Sequence, residues 1–174
     1  MKPVIGINGS TRVFGIFGDP VSQSLSPAMH NAAFKALGLD HVYVPFHVSA
    51  KEPGALKNAI KAIRALDIKG VNITIPHKVA AMEFLDEVSL DARASGSVNT
   101  VINRDKRLYG CNTDGEGFLI GIKKETGFNP RGKNIIILGA GGAARSIIFS
   151  LLKKNAGSVV VANRTEARAE ALAM

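Results

Sequence analysis

"NIIILGAGGAARSIIFSLLKKNAGSVVVANRT", residues 134–165, holds an uninterrupted apolar strand, a glycine-rich turn, one helix and a second apolar strand. Strands without a polar face belong to sheets covered on both sides, so the stretch predicts a parallel βαβ unit. The turn Gly139-Ala140-Gly141-Gly142-Ala143-Ala144 has the spacing G-x-G-x-x-G/A. Alone that match is weak. Here it follows the strand at residues 135–138 directly and opens a helix, which is the context the chemistry needs. The glycines permit a tight turn and let the backbone approach a pyrophosphate, whose charge rests on the helix N-terminus. The plainer alternative is a strand–helix turn with no ligand.

The second strand of this unit ends at Asn163, 24 residues beyond Gly139. A fold selective for NAD normally carries Asp or Glu there, to hold the ribose 2′-hydroxyl. This chain offers Asn163, Arg164 and Thr165, then Arg168 one turn on. Guanidinium groups suit a 2′-phosphate that a carboxylate would repel, so NADP is the expected dinucleotide. The alternative is a solvated helix start capped by Thr165.

Upstream the text changes character. "RVFGIFG" (residues 12–18) reads as a first strand, and Ser26-Pro27 as a helix start with serine as N-cap. Apolar residues at helical spacing follow until Gly38. "HVYVPFHV" is a second strand whose Pro45 suggests a sheet edge. A helix is predicted over residues 53–66, with Leu56, Ala59, Ile60 and Ile63 as its apolar stripe. "GVNIT" is the next strand, and a helix is expected from Lys78. A short helical stretch near residues 90–94 follows. "SVNTVINRDKRLYGCN" reads as two strands around a tight polar turn. Residues 114–126 form a helix, and "GFNPRGK" is a joint marked by Gly and Pro. We place the domain change near residue 113, giving domains 1–113 and 114–174.

The 174 residues are 46% hydrophobic, enough for a core and against wholesale disorder. Lys plus Arg number 22 against 14 Asp plus Glu, a formal charge of +8. These cations are scattered, and only 6% of the chain is aromatic, with no Trp. Charge is thus the only feature that favours nucleic acid, and none is expected as a partner. A single cysteine, Cys111, excludes an internal disulfide and fits a reducing, cytoplasmic setting. "MKPVIGINGST" is too short and too broken by glycine for a signal peptide, and no membrane association is expected. The four histidines lack metal-ligand spacing and there is no cysteine pair, so no metal is expected.

The chemistry centres on "GVNITIPHKVA", residues 70–80. Val71, Ile73 and Ile75 alternate with Asn72 and Thr74, giving a strand one polar face. A lysine at a helix start is badly placed electrostatically, unless a proton-transfer group is needed there. Hydride exchange at a carbonyl or alcohol carbon needs such a group at the oxygen. Lys78 fits that role, and Asn72 and Thr74 could bind a polyol; a solvated lysine beside a wet strand face is the alternative. "SQSLSP" presents the hydroxyls of Ser22, Ser24 and Ser26 near a helix start, a plausible carboxylate cradle. Asn99 and Asp114 fall at predicted element ends, Asp114 being readable as an ordinary N-cap.

Taken together, "SLSPAMHN", "NITIPHK", "GSVNT", "NTDG", "GAGGAAR" and "NRT" resemble the shikimate dehydrogenase family in order and spacing, over nearly the whole chain. The resemblance implies reduction of 3-dehydroshikimate to shikimate with NADPH, a step in aromatic amino-acid biosynthesis. It implies that Ser24 and Ser26 bind the substrate carboxylate. Thr74, Asn99 and Asp114 would hold its hydroxyls, with Asn72 lining the site. Lys78 and Asp114 would be the catalytic pair, Lys78 moving the proton; His77 is a weaker rival. Gly139, Ala140, Gly141, Gly142, Ala143 and Ala144 would hold the pyrophosphate. Asn163, Arg164, Thr165 and Arg168 would meet the 2′-phosphate. The fold implied is α/β: a three-layer substrate domain with a mixed, mainly parallel sheet, followed by an incomplete Rossmann-type domain.

That second domain should have about six strands, but only two follow Gly132, and "EARAEALAM" ends within a helical pattern. The expectation is a truncated chain, the N-terminal portion of a longer enzyme. The bare apolar strand at residues 135–138 would then invite self-association, as a homodimer for instance, or local disorder. Two other functions fit the same motifs: a module that binds shikimate and NADP without turnover, and a quinate/shikimate dehydrogenase. A folate-linked dehydrogenase fits less well, since the serine pair and "NTDG" suit a small polyhydroxy acid.

Overall fold

The computed structural model describes residues 6–173, so the first five residues of the apolar N-terminal patch and Met174 lie outside it. The elements in order are β1 (Arg12–Gly18), α1 (Ser26–Leu37), β2 (His41–His47), α2 (Ala55–Ala65), β3 (Gly70–Ile73), a 3-10 helix (Ala80–Phe84), β4 (Glu87–Val88), α3 (Leu90–Ser95), β5 (Thr100–Arg104), β6 (Arg107–Cys111), α4 (Asp114–Thr126), β7 (Asn134–Leu138), α5 (Gly142–Lys153), β8 (Ser158–Ala162) and α6 (Glu166–Ala173). Two compact units result. One comprises residues up to Val88 together with Thr100–Gly110; the other comprises Ser89–Asn99 and the residues from Cys111 onward. Helix α3 packs on α5, so the second unit takes in a segment upstream of residue 113.

The first unit is built on a six-stranded sheet in the order β2-β1-β3-β5-β6-β4. β1 pairs in parallel with both β2 and β3, β4 pairs in parallel with β6, and β3 meets β5 antiparallel. The sheet is therefore mixed and mainly parallel. Pro45 cannot donate to a ladder, and β2 lies at the edge, where that loss matters least. β5 and β6 are joined by Asp105 and Lys106, both at positive φ, as a two-residue hairpin requires. Ile60 and Ile63 of α2 are completely buried, each burial contributing about 1.5–3 kcal/mol.

Two local expectations and one alternative reading are corrected. No α-helix begins at Lys78: residues 75–79 form a turn, and only a five-residue 3-10 helix follows at Ala80. His77 explains the tight path. Its N–H donates to Thr74 O, and its buried ring bonds Val48 O at 2.7 Å, so the chain is pulled inward before it can wind. The helix-end field invoked for Lys78 is thus absent. Ser26 is not the cap of α1, because Leu25 occupies that position and Ser26 lies in the first turn. The hydroxyl of Ser24 accepts the Ser26 N–H instead, at 3.2 Å. Asp114 is likewise not an N-cap: Thr113 is, and Asp114 is the first residue of α4.

In the second unit β7 and β8 pair in parallel, with Ile136 opposite Val160 and Leu138 opposite Ala162. One face of this pair is bare: Ile136, Leu138 and Val160 are largely exposed. Helices α4 and α5 pack closely, at a point that only glycine permits. A Cβ on Gly115 would run into Ser146 O and Ser150 Oγ.

Candidate functional site

In the first unit, Asn72 and Thr74 lie where β3 ends, both half-buried and two residues apart on one face. The Asn72 amide is held on both sides. Its Oδ1 accepts the Tyr43 hydroxyl proton at 2.7 Å, and its Nδ2 donates to Thr100 Oγ1 at 3.2 Å. Thr100 is the residue opposite Asn72 in the β3–β5 pairing. Tyr43, Asn72 and Thr100 therefore form one polar chain centred on Asn72, a residue singled out from sequence. Burial pushes the Tyr43 phenol up to about 12, the neighbouring Ser26 hydroxyl opposing this only in part. The Tyr43 ring stacks on His30 of α1 with centroids 4.3 Å apart.

Lys78 is half-buried in the turn after β3. That turn is tied to the end of β1 by Thr74 N–H to Phe17 O and Asp19 N–H to Ile75 O. A backbone carbonyl can only accept, so His77 Nε2 carries the proton it gives to Val48 O, and the ring acts as a structural peg.

In the second unit Asn99 and Asp114 are brought together. Asn99 Nδ2 donates to Asp114 Oδ1 at 2.6 Å and to Thr113 Oγ1 at 2.9 Å, while Asn99 Oδ1 accepts the Thr113 N–H at 3.0 Å. Asn99 is nearly fully buried, so one carboxylate oxygen of Asp114 has a fixed direction at the start of α4. Asn112 accepts the Asp114 N–H at 3.0 Å and donates to Ser146 Oγ at 2.7 Å.

The glycine turn links β7 to α5. Gly139 sits at φ +112°, a conformation side chains resist, and a Cβ on Gly139 or Gly141 would meet nothing within 4 Å. The N-cap of α5 is Gly141, which has no side chain, so among the described residues no side-chain capping bond covers the first N–H groups of this twelve-residue helix. Bare backbone donors and empty space around the glycines fit a pyrophosphate. At the end of β8, Asn163 Nδ2 donates to Thr165 O at 2.7 Å, which orders the turn into α6. Arg164, Thr165 and Arg168 are exposed, and neither arginine is in an ion pair among the described residues.

A concavity of about 380 Å³ in the second unit is lined by Asp91, Leu119, Phe128, Pro130, Lys153 and their neighbours. None of the residues singled out from sequence lines it. Among the described residues no three His, Cys, Asp or Glu side chains gather as metal ligands, and no helix is long and apolar enough to cross a membrane. Sequence reasoning missed Tyr43, Thr100, Asn112 and Ser146. Thr100 and Asn112 sit within quoted motifs, so those two were signalled; Tyr43 and Ser146 were not.

Two family models match the chain: shikimate dehydrogenase substrate binding domain over residues 16–101, and shikimate / quinate 5-dehydrogenase over residues 122–174. A shikimate dehydrogenase (NADP(+)) of Methanopyrus kandleri is 50% identical over 173 residues, which is 99% of this chain and 59% of that protein. A crystal structure of a shikimate dehydrogenase in complex with NADP+ superposes with a TM-score of 0.88 at 49% identity, over 97% of this chain and 56% of that one. The enzyme of Thermus thermophilus, solved with NADP(H) and shikimate, gives a TM-score of 0.82 at 42% identity, over 93% of this chain and 59% of that one. The chain thus spans between half and two thirds of the length of each of these relatives.

Proposed function

Because this chain belongs to the shikimate dehydrogenase family, we propose that it serves the NADP-dependent reduction of 3-dehydroshikimate to shikimate. Residues 1–113 are assigned to the substrate and residues 114–174 to the dinucleotide. The observation that carries the reading is the Asp114 carboxylate oriented by Asn99 at 2.6 Å, within "NTDG". An acceptor with a fixed direction suits a ring hydroxyl, which must be held in one pose for stereospecific chemistry.

Reduction adds a hydride to the ketone carbon and a proton to its oxygen. NADPH, when bound, supplies the hydride. Lys78 gives the proton to the oxygen and regains one from solvent. Asp114 accepts a substrate hydroxyl proton in a hydrogen bond and works with Lys78 as the catalytic pair. Asn99 and Thr74 hold further hydroxyls, with Asn72 lining the site. Ser24 and Ser26 take the carboxylate, the Ser24 hydroxyl accepting the Ser26 N–H. The backbone of residues 139–144 takes the pyrophosphate, and Asn163, Arg164, Thr165 and Arg168 take the 2′-phosphate. The hydrogen bond from Asn99 to Asp114 supports the roles of those two residues, while the proton transfer by Lys78 and its pairing with Asp114 come from the family resemblance.

The test mixes this chain with NADP+ and shikimate and follows absorbance of the reduced nicotinamide, with NAD+ and quinate as controls. Calorimetry on the same sample measures binding. Binding of both ligands is expected, and a rise requires NADP+ and shikimate together. Binding without turnover assigns the chain the non-catalytic alternative, a rise with quinate extends the substrate, and neither binding nor turnover overturns the proposal. Arg164→Ala should weaken NADP+ by about tenfold and leave NAD+ unchanged. We place the protein in the cytoplasm, consistent with its one thiol, Cys111. Self-association as a homodimer through the bare β7–β8 face is checked by sedimentation.

A further inference from the structure

We infer that Ser146 and Asn112 are positioning residues that hold Asp114 from the helix following the glycine turn; the inference rests on the role proposed above for Asp114. A serine inside a helix ordinarily bonds the carbonyl four residues back and does nothing more. Ser146 makes that bond, to Gly142 O at 2.9 Å, which uses its only proton. The hydroxyl oxygen then accepts Asn112 Nδ2 at 2.7 Å, and the residue is only 2% exposed.

This fixes which way the Asn112 amide points. Its nitrogen faces two acceptors, Ser146 Oγ and Ser97 O, the latter at 2.8 Å. Its oxygen must therefore face the Asp114 N–H, which it accepts at 3.0 Å. The reversed amide would set a carbonyl against Ser97 O and leave that N–H, an orphan of the first helical turn, without a partner. Asn112 thus orders the backbone from which the Asp114 carboxylate projects, and Asn99 orders the carboxylate itself. Gly115 beside it rests against the Ser146 backbone, so no slack separates α4 from α5 at this point.

The test compares wild type with Ser146→Ala, Asn112→Ala and the double variant. Ser150→Ala, one turn along the same helix, is the control. Two readouts are taken on the whole chain: hydrogen exchange at the Asp114 amide, and the dissociation constants of shikimate and NADP+ by calorimetry. Ser146→Ala should speed Asp114 exchange and weaken shikimate, each by about three- to tenfold. NADP+ affinity should change by less than about twofold, and the double variant should match Asn112→Ala to within about twofold. A change at shikimate without one at the dinucleotide is what general damage to α5 would not produce. Unchanged exchange and unchanged shikimate affinity in Ser146→Ala overturn the inference, as does an equal loss for both ligands. If wild type binds no shikimate, the proposed function fails, and exchange at Asp114 still decides whether Ser146 orders it.

Discussion

Tyr43 donates its hydroxyl proton to Asn72 Oδ1 at 2.7 Å, so a residue of the edge strand β2 holds an amide two strands away on β3. The bond matters because Tyr43 is almost wholly buried, and its ring and hydroxyl must both find partners there. Thr100 extends the chain beyond Asn72.

Tyr43→Phe would leave Asn72 Oδ1 without this donor, and should cost about 1–3 kcal/mol in urea unfolding. The same residue governs alkaline stability. Its phenol is raised from 10.0 to about 12 by burial, so the folded chain holds that proton more tightly than the unfolded chain does. The stabilisation is complete below pH 10 and is lost as pH rises through about 12. An absorbance titration should show a tyrosine step near 12 that Tyr43→Phe removes.

Acid should act on the first unit through three carboxylates held below their usual range of 3.8. The Ala50 N–H and then His47 lower Asp19; the Thr11 and Ser10 hydroxyls lower Asp40; the Leu108 N–H and then Arg64 lower Asp86. Each binds a proton more weakly folded than unfolded. Stability is therefore full above the ordinary carboxylate pKa and falls as pH drops through the lowered values. Denaturant midpoints should fall below about pH 4, and Asp86→Asn should flatten that slope. An unchanged slope would place the acid sensitivity elsewhere.

Lys78→Ala in an enzyme preparation that turns over shikimate should reduce kcat by about 10²–10⁴, with the fold intact by circular dichroism. Near-normal turnover would remove Lys78 from the mechanism. Asp114→Asn keeps the shape and loses the charge, and should depress turnover as well.

Gly115→Ala tests the contact of α4 with α5. The added methyl meets Ser146 O and Ser150 Oγ, one of them backbone, so the helices must part. A loss of about 1–3 kcal/mol is expected, against almost none for Gly117→Ala, where a Cβ meets nothing.

Much of the fold was legible because its signals are local. Pro45 marked the edge strand, two consecutive residues at positive φ close the expected hairpin, and α4 begins at Asp114, where the pattern put it. The glycine turn, with its strand before and helix after, was readable for the same reason. The turn around Lys78 was misread because His77 is drawn to Val48 O, a partner 29 residues away that no window of local pattern contains.

By itself the sequence determined most of the strands and helices and the glycine turn, but neither the turn at residues 75–79 nor β4. Propensity, alternation and turn residues act within a few positions of one another. Only the tertiary structure decided which side chains are held, and by what. The Tyr43–Asn72 bond spans 29 residues and the Asn112–Ser146 bond spans 34. A hydroxyl's or an amide's partner is chosen by where packing delivers it, and packing is a property of the whole chain.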